Sequence, residues 1–296
     1  MDSFSIADLQ RFSGIKAHTI RIWEQRYNAL QPNRSEGNTR YYNSKQLKRL
    51  LNIVSLMNEH KISRLCSMPD KKLYELLDEQ SSGKTEAGHA REYFIAQIIA
   101  ATLLYDELYF EKLFSNSILR FGIRSTYVDI IYPVLVRLGL WWAKDTIYPS
   151  QEHFITNLFR QKLFAAIDAS PPATDSKDAW LLFLPEDEFH EIGLLFSNYL
   201  IRQAGKKVIY LGQNIPLEYL KAAVDGTKPS NLLFFLVRKN NEDEDSDYIS
   251  RLKKLFLHQK IYIACDASRL SCVKTSKNII PLHAVADLEN VFYAAV

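Results

Sequence analysis

The chain has 296 residues, 47% of them hydrophobic and 24% charged, with a formal net charge of +3. That length suits two domains, or three small ones, and the apolar share is ample for building cores. Three cysteines (Cys66, Cys265, Cys272) without metal-ligand or framework spacing argue against a disulfide scaffold; no apolar run reaches the roughly 18 residues of a membrane span, and the N-terminus lacks signal-peptide features, so a reduced, cytoplasmic location is expected.

The charge is unevenly spread. Residues 1–75 hold 13 Lys+Arg against 7 Asp+Glu, and the remainder 24 against 27. A basic head on a slightly acidic body suits a nucleic-acid binder with a separate sensor.

In chain order, Ser5 is a helix N-cap with Asp8 three residues on, and Gly14 ends that first helix. A second helix is expected from about Lys16 to Tyr27, with Pro32 closing the connection. Arg34 to Tyr42 reads as a hairpin turning at Glu36-Gly37-Asn38. Asn43 or Ser44 caps a third helix whose Leu47, Leu50, Leu51, Val54 and Met57 recur at helical spacing. Short helical pieces follow around Met68-Pro69. The polar stretch 78–88, with Ser81-Ser82-Gly83 and Gly88, reads as a linker. Four helices are expected at about 89–103, 106–119, 123–140 and 150–168, ended by Pro171-Pro172. From Trp180 short apolar runs (180–184, 208–211, 232–237, 261–264) alternate with helical patterns (190–204, 216–224, 246–257). Buried strands alternating with helices predict a doubly wound parallel sheet, whose ligands sit beyond the C-terminal strand ends.

The second helix has the composition of a major-groove reader. Ile20 can face the core while His18, Arg21 and Gln25 point outward; Arg26 and Tyr27 at its end suit phosphate contacts. The hairpin adds Arg34, Asn38, Arg40 and Tyr41 as a wing along the DNA backbone. An ordinary charged amphipathic helix would explain such a pattern taken alone, but not the joint order of cap, glycine, basic aromatic helix, proline and basic hairpin. This order, with Thr19-Ile20-Arg21, Trp23-Glu24, Arg26-Tyr27, Leu30, Pro32, Arg34, Arg40-Tyr41-Tyr42 and Leu47, resembles the MerR family of winged-helix regulators over residues 4 to about 75. The resemblance implies a dimer on a near-palindromic element of double-stranded DNA, usually with distortion between half-sites. The polar stretch after Leu77 replaces the long coiled coil of many members, so self-association as a dimer or higher oligomer is expected from the sensor region.

Two motifs mark that region. Trp142 is followed after nine residues by Glu152-His153, and Glu188-Phe189-His190 by Glu191-Ile192-Gly193 directly after the first strand. A histidine there can offer one ring nitrogen to a metal while an acidic neighbour holds the other, and Gly193 permits close approach of a bulky ligand. Taken singly, His190 reads as a surface or capping histidine, Trp142 as a core aromatic, and Glu152-His153 as a helix N-terminal pair. The cluster of Glu186, Asp187, Glu188 and Glu191 reads as a solvated loop rather than a second metal site.

Together, a helical bundle with Trp-x9-Glu-His and a flavodoxin-like domain with Glu-x-His-x-x-Gly resemble the cobalamin-binding module of methionine synthase. Over the whole chain the pattern is similar to the light-responsive, cobalamin-binding MerR-type repressors of carotenoid genes; Leu211-Gly212-Gln213-Asn214-Ile215-Pro216 fits the stretch after that family's second strand. The resemblance implies that His190 is the lower axial ligand of cobalt, that Trp142 covers the upper face where an adenosyl group lies, and that Glu152 and His153 line the upper pocket. Glu188 and Gly193 complete the cofactor motif. Two features depart from the family: the third strand reads Leu233-Phe234-Phe235-Leu236-Val237-Arg238 in place of a Ser-x-Leu ending, and the fourth ends Ile263-Ala264-Cys265-Asp266 in place of Gly-Gly. Both positions surround the cofactor's nucleotide tail, and larger residues there could fill its slot.

The expected architecture is multidomain: an all-α winged helix-turn-helix head (1–77), a linker (78–88), a four-helix bundle (89–170) and an α/β flavodoxin-like, Rossmann-like parallel-sheet domain (171–296). The expected function is a DNA-binding transcription regulator controlled by cobalamin, adenosylcobalamin being one candidate form, with no membrane partner. The alternative is a MerR-type regulator whose sensor has lost cobalamin and serves oligomerisation or a protein partner. An enzyme is not expected, because no nucleophile–base pair or metal-hydrolase spacing is present.

Overall fold

A computed structural model describes residues 3–293 except 36, 58–59, 83–86, 145–146, 171–172, 174–177, 238–241 and 266–277. Glu36, Gly83, Pro171-Pro172, Arg238, Asp266 and Cys272, used above, lie outside the described residues. The chain divides into two units, Met1–Thr156 and Asn157–Val296.

In the first unit, α1 (Ile6–Ser13) starts from a reciprocal capping box. The Ser5 hydroxyl accepts the Asp8 N–H, and the Asp8 carboxylate accepts the Ser5 N–H at 2.8 Å. Gly14, left-handed at φ 73°, ends it. Helix α2 (Ala17–Tyr27) has no side-chain cap of its own, but its first N–H donates to Gln10 Oε1 on α1 at 2.7 Å, which fixes the angle between the two helices. Strands β1 (Asn33–Arg34) and β2 (Arg40–Tyr41) form the antiparallel wing, and a bridge between Phe4 and Tyr42 adds the N-terminus to its inner edge.

Helix α3 (Ser44–Leu56) is capped by Asn43 with Gln46 in a second capping box. It buries Leu47, Leu50, Leu51, Ile53 and Leu56 as the spine of the head, whereas Val54 and Met57 are only half-buried. Arg49 on α3 donates to the carbonyls of Ala29 (2.7 Å), Cys66 (2.7 Å) and Met68 (2.9 Å), and pairs with Asp70. One guanidinium thus ties α3 to the end of α2 and to the junction of α4 (Ile62–Ser67) with α5 (Asp70–Ser82). Helix α5 continues into the stretch expected to be linker, since residues 70–82 contain neither glycine nor proline to stop it.

Helix α6 (Ala87–Leu103) precedes α7 (Glu107–Thr126), which is interrupted at Gly122. A π-turn over Tyr127–Ile131 leads into α8 (Tyr132–Trp142), and α9 (Pro149–Asp168) follows. Phe94, Ile98, Phe110, Ile130, Val134, Leu138 and Ile155 form their common core. The head packs on this bundle through α3 and α6. Gln97 donates to Ser55 Oγ at 3.2 Å, Lys48 lies 3.3 Å from Asp106 and 4.0 Å from the centre of the Tyr109 ring, and Phe12 meets Trp141 edge-on at 5.4 Å.

The second unit is a parallel sheet of β3 (Trp180–Pro185), β4 (Val208–Ile215), β5 (Asn231–Leu236), β6 (Lys260–Cys265) and β7 (Ile279–Leu282), in the order β4-β3-β5-β6-β7. Counted within the sheet this is 2-1-3-4-5, the doubly wound order of flavodoxin-like folds. The helices are α10 (Ile192–Gln203), α11 (Leu217–Thr227), α12 (Glu242–Leu255) and α13 (Val285–Tyr293). Strand alternation splits the core into two layers. Leu181, Phe183, Leu232, Phe234, Ile261 and Ile263 pack with residues of α11 and α12, while Trp180 stacks on Tyr262 and meets Phe292 of α13. Strand β7 and α13 are additional to the elements expected from the sequence. The central strands are marked by continuous apolar runs, but Ile279-Ile280-Pro281-Leu282 carries a proline that weakens the strand signal, and β7 tolerates it at the sheet edge.

Candidate DNA interface and sensor site

Helix α2 buries Ile20 and Trp23, which turns His18, Arg21, Gln25 and Arg26 outward to solvent; Tyr27 is half-buried. Four long polar side chains on one helix face, next to an exposed wing, form a surface able to meet base edges and phosphates. In the wing Arg34 donates to Asn38 Oδ1, both exposed, while Tyr41 is half-buried.

Arg40 stands apart from this surface. Its Nε lies 3.9 Å from Glu24 Oε2, and Glu24, 7% exposed, also accepts the Tyr42 hydroxyl at 2.6 Å. Glu24 therefore clamps the wing to the recognition helix, a role not foreseen in the sequence. The only available signal was a carboxylate on the otherwise basic helix α2. Burial, and then the Glu24 hydrogen bond and charge, push the fully buried Tyr42 phenol well above its ordinary pKa.

In the bundle Trp142 is half exposed at the end of α8. Glu152 and His153 pair with each other in the first turn of α9, His153 Nδ1 lying 2.8 Å from Glu152 Oε2.

The second unit places Glu188, His190 and Gly193 together beyond the C-terminal end of β3. Glu188 is buried, and its Oε1 lies 2.6 Å from Nδ1 of the half-exposed His190 and accepts the N–H groups of Phe189 and His190. With Nδ1–H donating to a carboxylate, the ring's lone pair lies on Nε2. The other Glu188 oxygen accepts the Val237 N–H at 3.0 Å, which joins this loop to the end of β5.

One expectation is corrected here. The acidic cluster is not a solvated loop: Glu186 and Asp187 are exposed, but Glu188 and Glu191 are buried. Glu191 accepts the Tyr210 hydroxyl at 2.8 Å and lies 3.4 Å from Arg160 Nε. Burial, with the Glu191 charge and hydrogen bond behind it, pushes the Tyr210 phenol far up. Among the described residues no group of three or more His, Cys, Asp or Glu could hold a metal ion. Gly193, expected to permit close approach of a bulky ligand, has a close protein neighbour in this structure. A Cβ built on it would stand 2.6 Å from Phe235 Cε1 and 3.0 Å from Cδ1. The ring rests directly on the helix backbone.

Comparison with known proteins agrees with these features. Residues 4–63 match the family described as MerR HTH family regulatory protein, and residues 94–166 match the B12 binding domain. The chain is 26% identical over 245 residues to the HTH-type transcriptional repressor CarH of Myxococcus xanthus, covering 82% of this chain and 81% of CarH. It is 27% identical to the HTH-type transcriptional repressor CarA of the same organism, covering 81% and 78%. Among solved structures it is similar in fold to the monomethylamine corrinoid protein of Methanosarcina barkeri, with a TM-score of 0.54, 13% identity, and 70% of this chain and 100% of that one covered. The chain therefore carries a MerR-type helix-turn-helix head and a B12-binding domain, and is homologous to the CarH and CarA repressors.

Proposed function

We propose that this protein is a sequence-specific, DNA-binding transcription regulator whose DNA binding is controlled by its cobalamin-type sensor module. The observation that carries the reading is the union, in one chain, of the outward-facing His18, Arg21, Gln25 and Arg26 on a MerR-type helix with the Glu188–His190 pair at the C-terminal edge of a flavodoxin-like sheet. His18, Arg21 and Gln25 read base edges; Arg26, Tyr27, Arg34, Asn38 and Tyr41 hold the DNA backbone. Arg40 acts mainly through the position of the wing. The DNA partner is a near-palindromic duplex, and the protein binds it as a dimer or higher oligomer.

Cobalamin fits the residues on its cobalt side. When bound, it would supply a cobalt ion, and His190 would be the residue to hold it. Glu188 orients His190 for that purpose. Trp142, Glu152 and His153 are the proposed contacts of an upper, adenosyl-type substituent. The nucleotide side does not fit, because Phe235 occupies the space beside Gly193. That ring favours a second reading, in which the sensor fold serves oligomerisation or a protein partner without cobalamin. The relatives are repressors, in keeping with a regulator rather than an enzyme.

Control of DNA binding has a physical route within the first unit. Trp141 adjoins Trp142 and packs on Phe12 of α1, so a rearrangement at the end of α8 bears on the head. The test is selection of binding sites from a random duplex library, followed by titration with and without corrinoid. Wild type should enrich a near-palindromic site. Arg21→Ala should cost about 1–3 kcal/mol and relax one base position, whereas Arg26→Ala should weaken all sequences alike and lower the salt slope by about 1. A library without enrichment refutes the DNA-binding reading, and an affinity indifferent to every corrinoid refutes the control.

A further inference from the structure

We infer that the sensor takes a corrinoid lacking the lower nucleotide, of the cobinamide class, in preference to complete cobalamin. This rests on the cobalamin-type reading of the second unit.

In a doubly wound sheet the ligand crevice opens where strand order reverses. Here that point lies between β3 and β5. Phe234 points toward α12, where it meets Tyr248, and Phe235 points the other way onto Gly193 of α10. The crevice therefore opens between the start of α10 and the end of β5, beside His190.

Cobalamin carries its own lower base on a nucleotide arm. If His190 held the cobalt in its place, that base would be left uncoordinated on its arm. The base must then be housed within reach of His190, on the protein. The switch point lies beside His190, and there the half-buried Phe235 ring rests on Gly193, 2.6 Å from where a Cβ would stand. Glu188 stitches the crevice shut, holding His190 with one oxygen and the Val237 N–H with the other.

The opposite flank is closed as well. Asn214 Oδ1 accepts the Asp187 N–H at 2.9 Å, the Asn214 N–H donates to the Glu188 carbonyl at 3.2 Å, and Glu191 is engaged by Tyr210 and Arg160. A flat aromatic base laid against Gly193 would have to displace the Phe235 ring. A corrinoid without the nucleotide needs no slot and offers His190 an open lower position.

The experiment titrates the full chain in the dark with diaquacobinamide and with hydroxocobalamin, following the visible spectrum and the heat of binding. Wild type should bind the cobinamide about tenfold to a hundredfold more tightly, the range that overlap with a packed ring imposes. His190→Ala should remove the spectral shift produced by the cobinamide. Phe235→Ala, checked for native thermal unfolding, should close the gap by tightening hydroxocobalamin, with Phe235→Ser as a second variant should the first misfold. Equal affinity of wild type for the two corrinoids, in either ligation state, overturns the nucleotide-exclusion proposal and leaves the sensor reading standing. Failure of wild type and both variants to bind either corrinoid overturns the sensor reading along with it.

Discussion

Replacing Glu24 with alanine tests how the recognition helix and the wing are held together. Glu24 accepts the Tyr42 hydroxyl at 2.6 Å and faces Arg40 Nε at 3.9 Å, with 7% of its side chain exposed. The substitution leaves the Tyr42 hydroxyl buried without its acceptor, and removes the carboxylate that balances Arg40. A hydrogen bond to a charged group is worth about 1.5–3 kcal/mol, and a buried group left unpaired costs about 1–3 kcal/mol, so Glu24→Ala should lower the unfolding free energy by about 2–4 kcal/mol. Tyr42→Phe keeps the ring in place and removes only the hydroxyl, so it should cost about 1–2 kcal/mol. Urea unfolding of wild type, both single variants and the double variant isolates the pair, with an expected coupling of about 1–2 kcal/mol. DNA affinity should fall in Glu24→Ala even though Glu24 itself is not among the proposed DNA contacts, because the wing is no longer tied to α2. Additive single effects, coupling within about 0.5 kcal/mol of zero, would refute the clamp.

Arg49→Met should destabilise the first unit by about 2–4 kcal/mol by stranding the carbonyls of Ala29, Cys66 and Met68, with little from the exposed Asp70; Arg49→Lys should not restore it, since one ammonium cannot span the three carbonyls. Chemical denaturation read by far-UV circular dichroism distinguishes the variants. Alkaline pH should destabilise the second unit. Burial raises the phenols of Tyr210 and Tyr248, and that of Tyr262 to about 12, so the folded state holds these protons more tightly than the unfolded chain. Their contribution is complete below about pH 10, where both states are protonated, and declines as pH rises from about 10 to 12. Urea midpoints across pH 8 to 11 should fall accordingly, and less steeply in Tyr262→Phe. Trp141→Ala should leave corrinoid affinity unchanged but reduce the corrinoid-induced change in DNA affinity; an undiminished change would exclude the Phe12–Trp141 contact from the coupling.

Local chemistry was legible in the sequence wherever neighbouring residues decide the outcome. The Ser5–Asp8 cap, the Gly14 stop, the Asn43 cap and the apolar stripe of α3 need only a few successive residues, and each formed as expected. So did the outward placement of His18, Arg21 and Gln25, which follows from helical spacing once Ile20 is buried. The Glu188–His190 pair was also within reach, being two residues apart on one loop. Other features depend on residues far apart in the chain. Glu24 with Tyr42 spans 18 residues, Arg49 with Ala29 spans 20, and Glu188 with Val237 spans 49. No pattern in the sequence marks those partners, because the fold alone brings them together.

Phe235 is the clearest division between the two levels. The sequence determined that a large aromatic, Phe235, stands near the end of an apolar run, and that Gly193 follows His190 by three positions. Only the tertiary structure decided that the ring lies on that glycine rather than in solvent or in the opposite layer. Strand alternation sends Phe234 to the α12 side and Phe235 to the α10 side, and α10 begins at the switch point of the sheet. Packing between elements distant in sequence, not the motif, therefore sets what the sensor can hold.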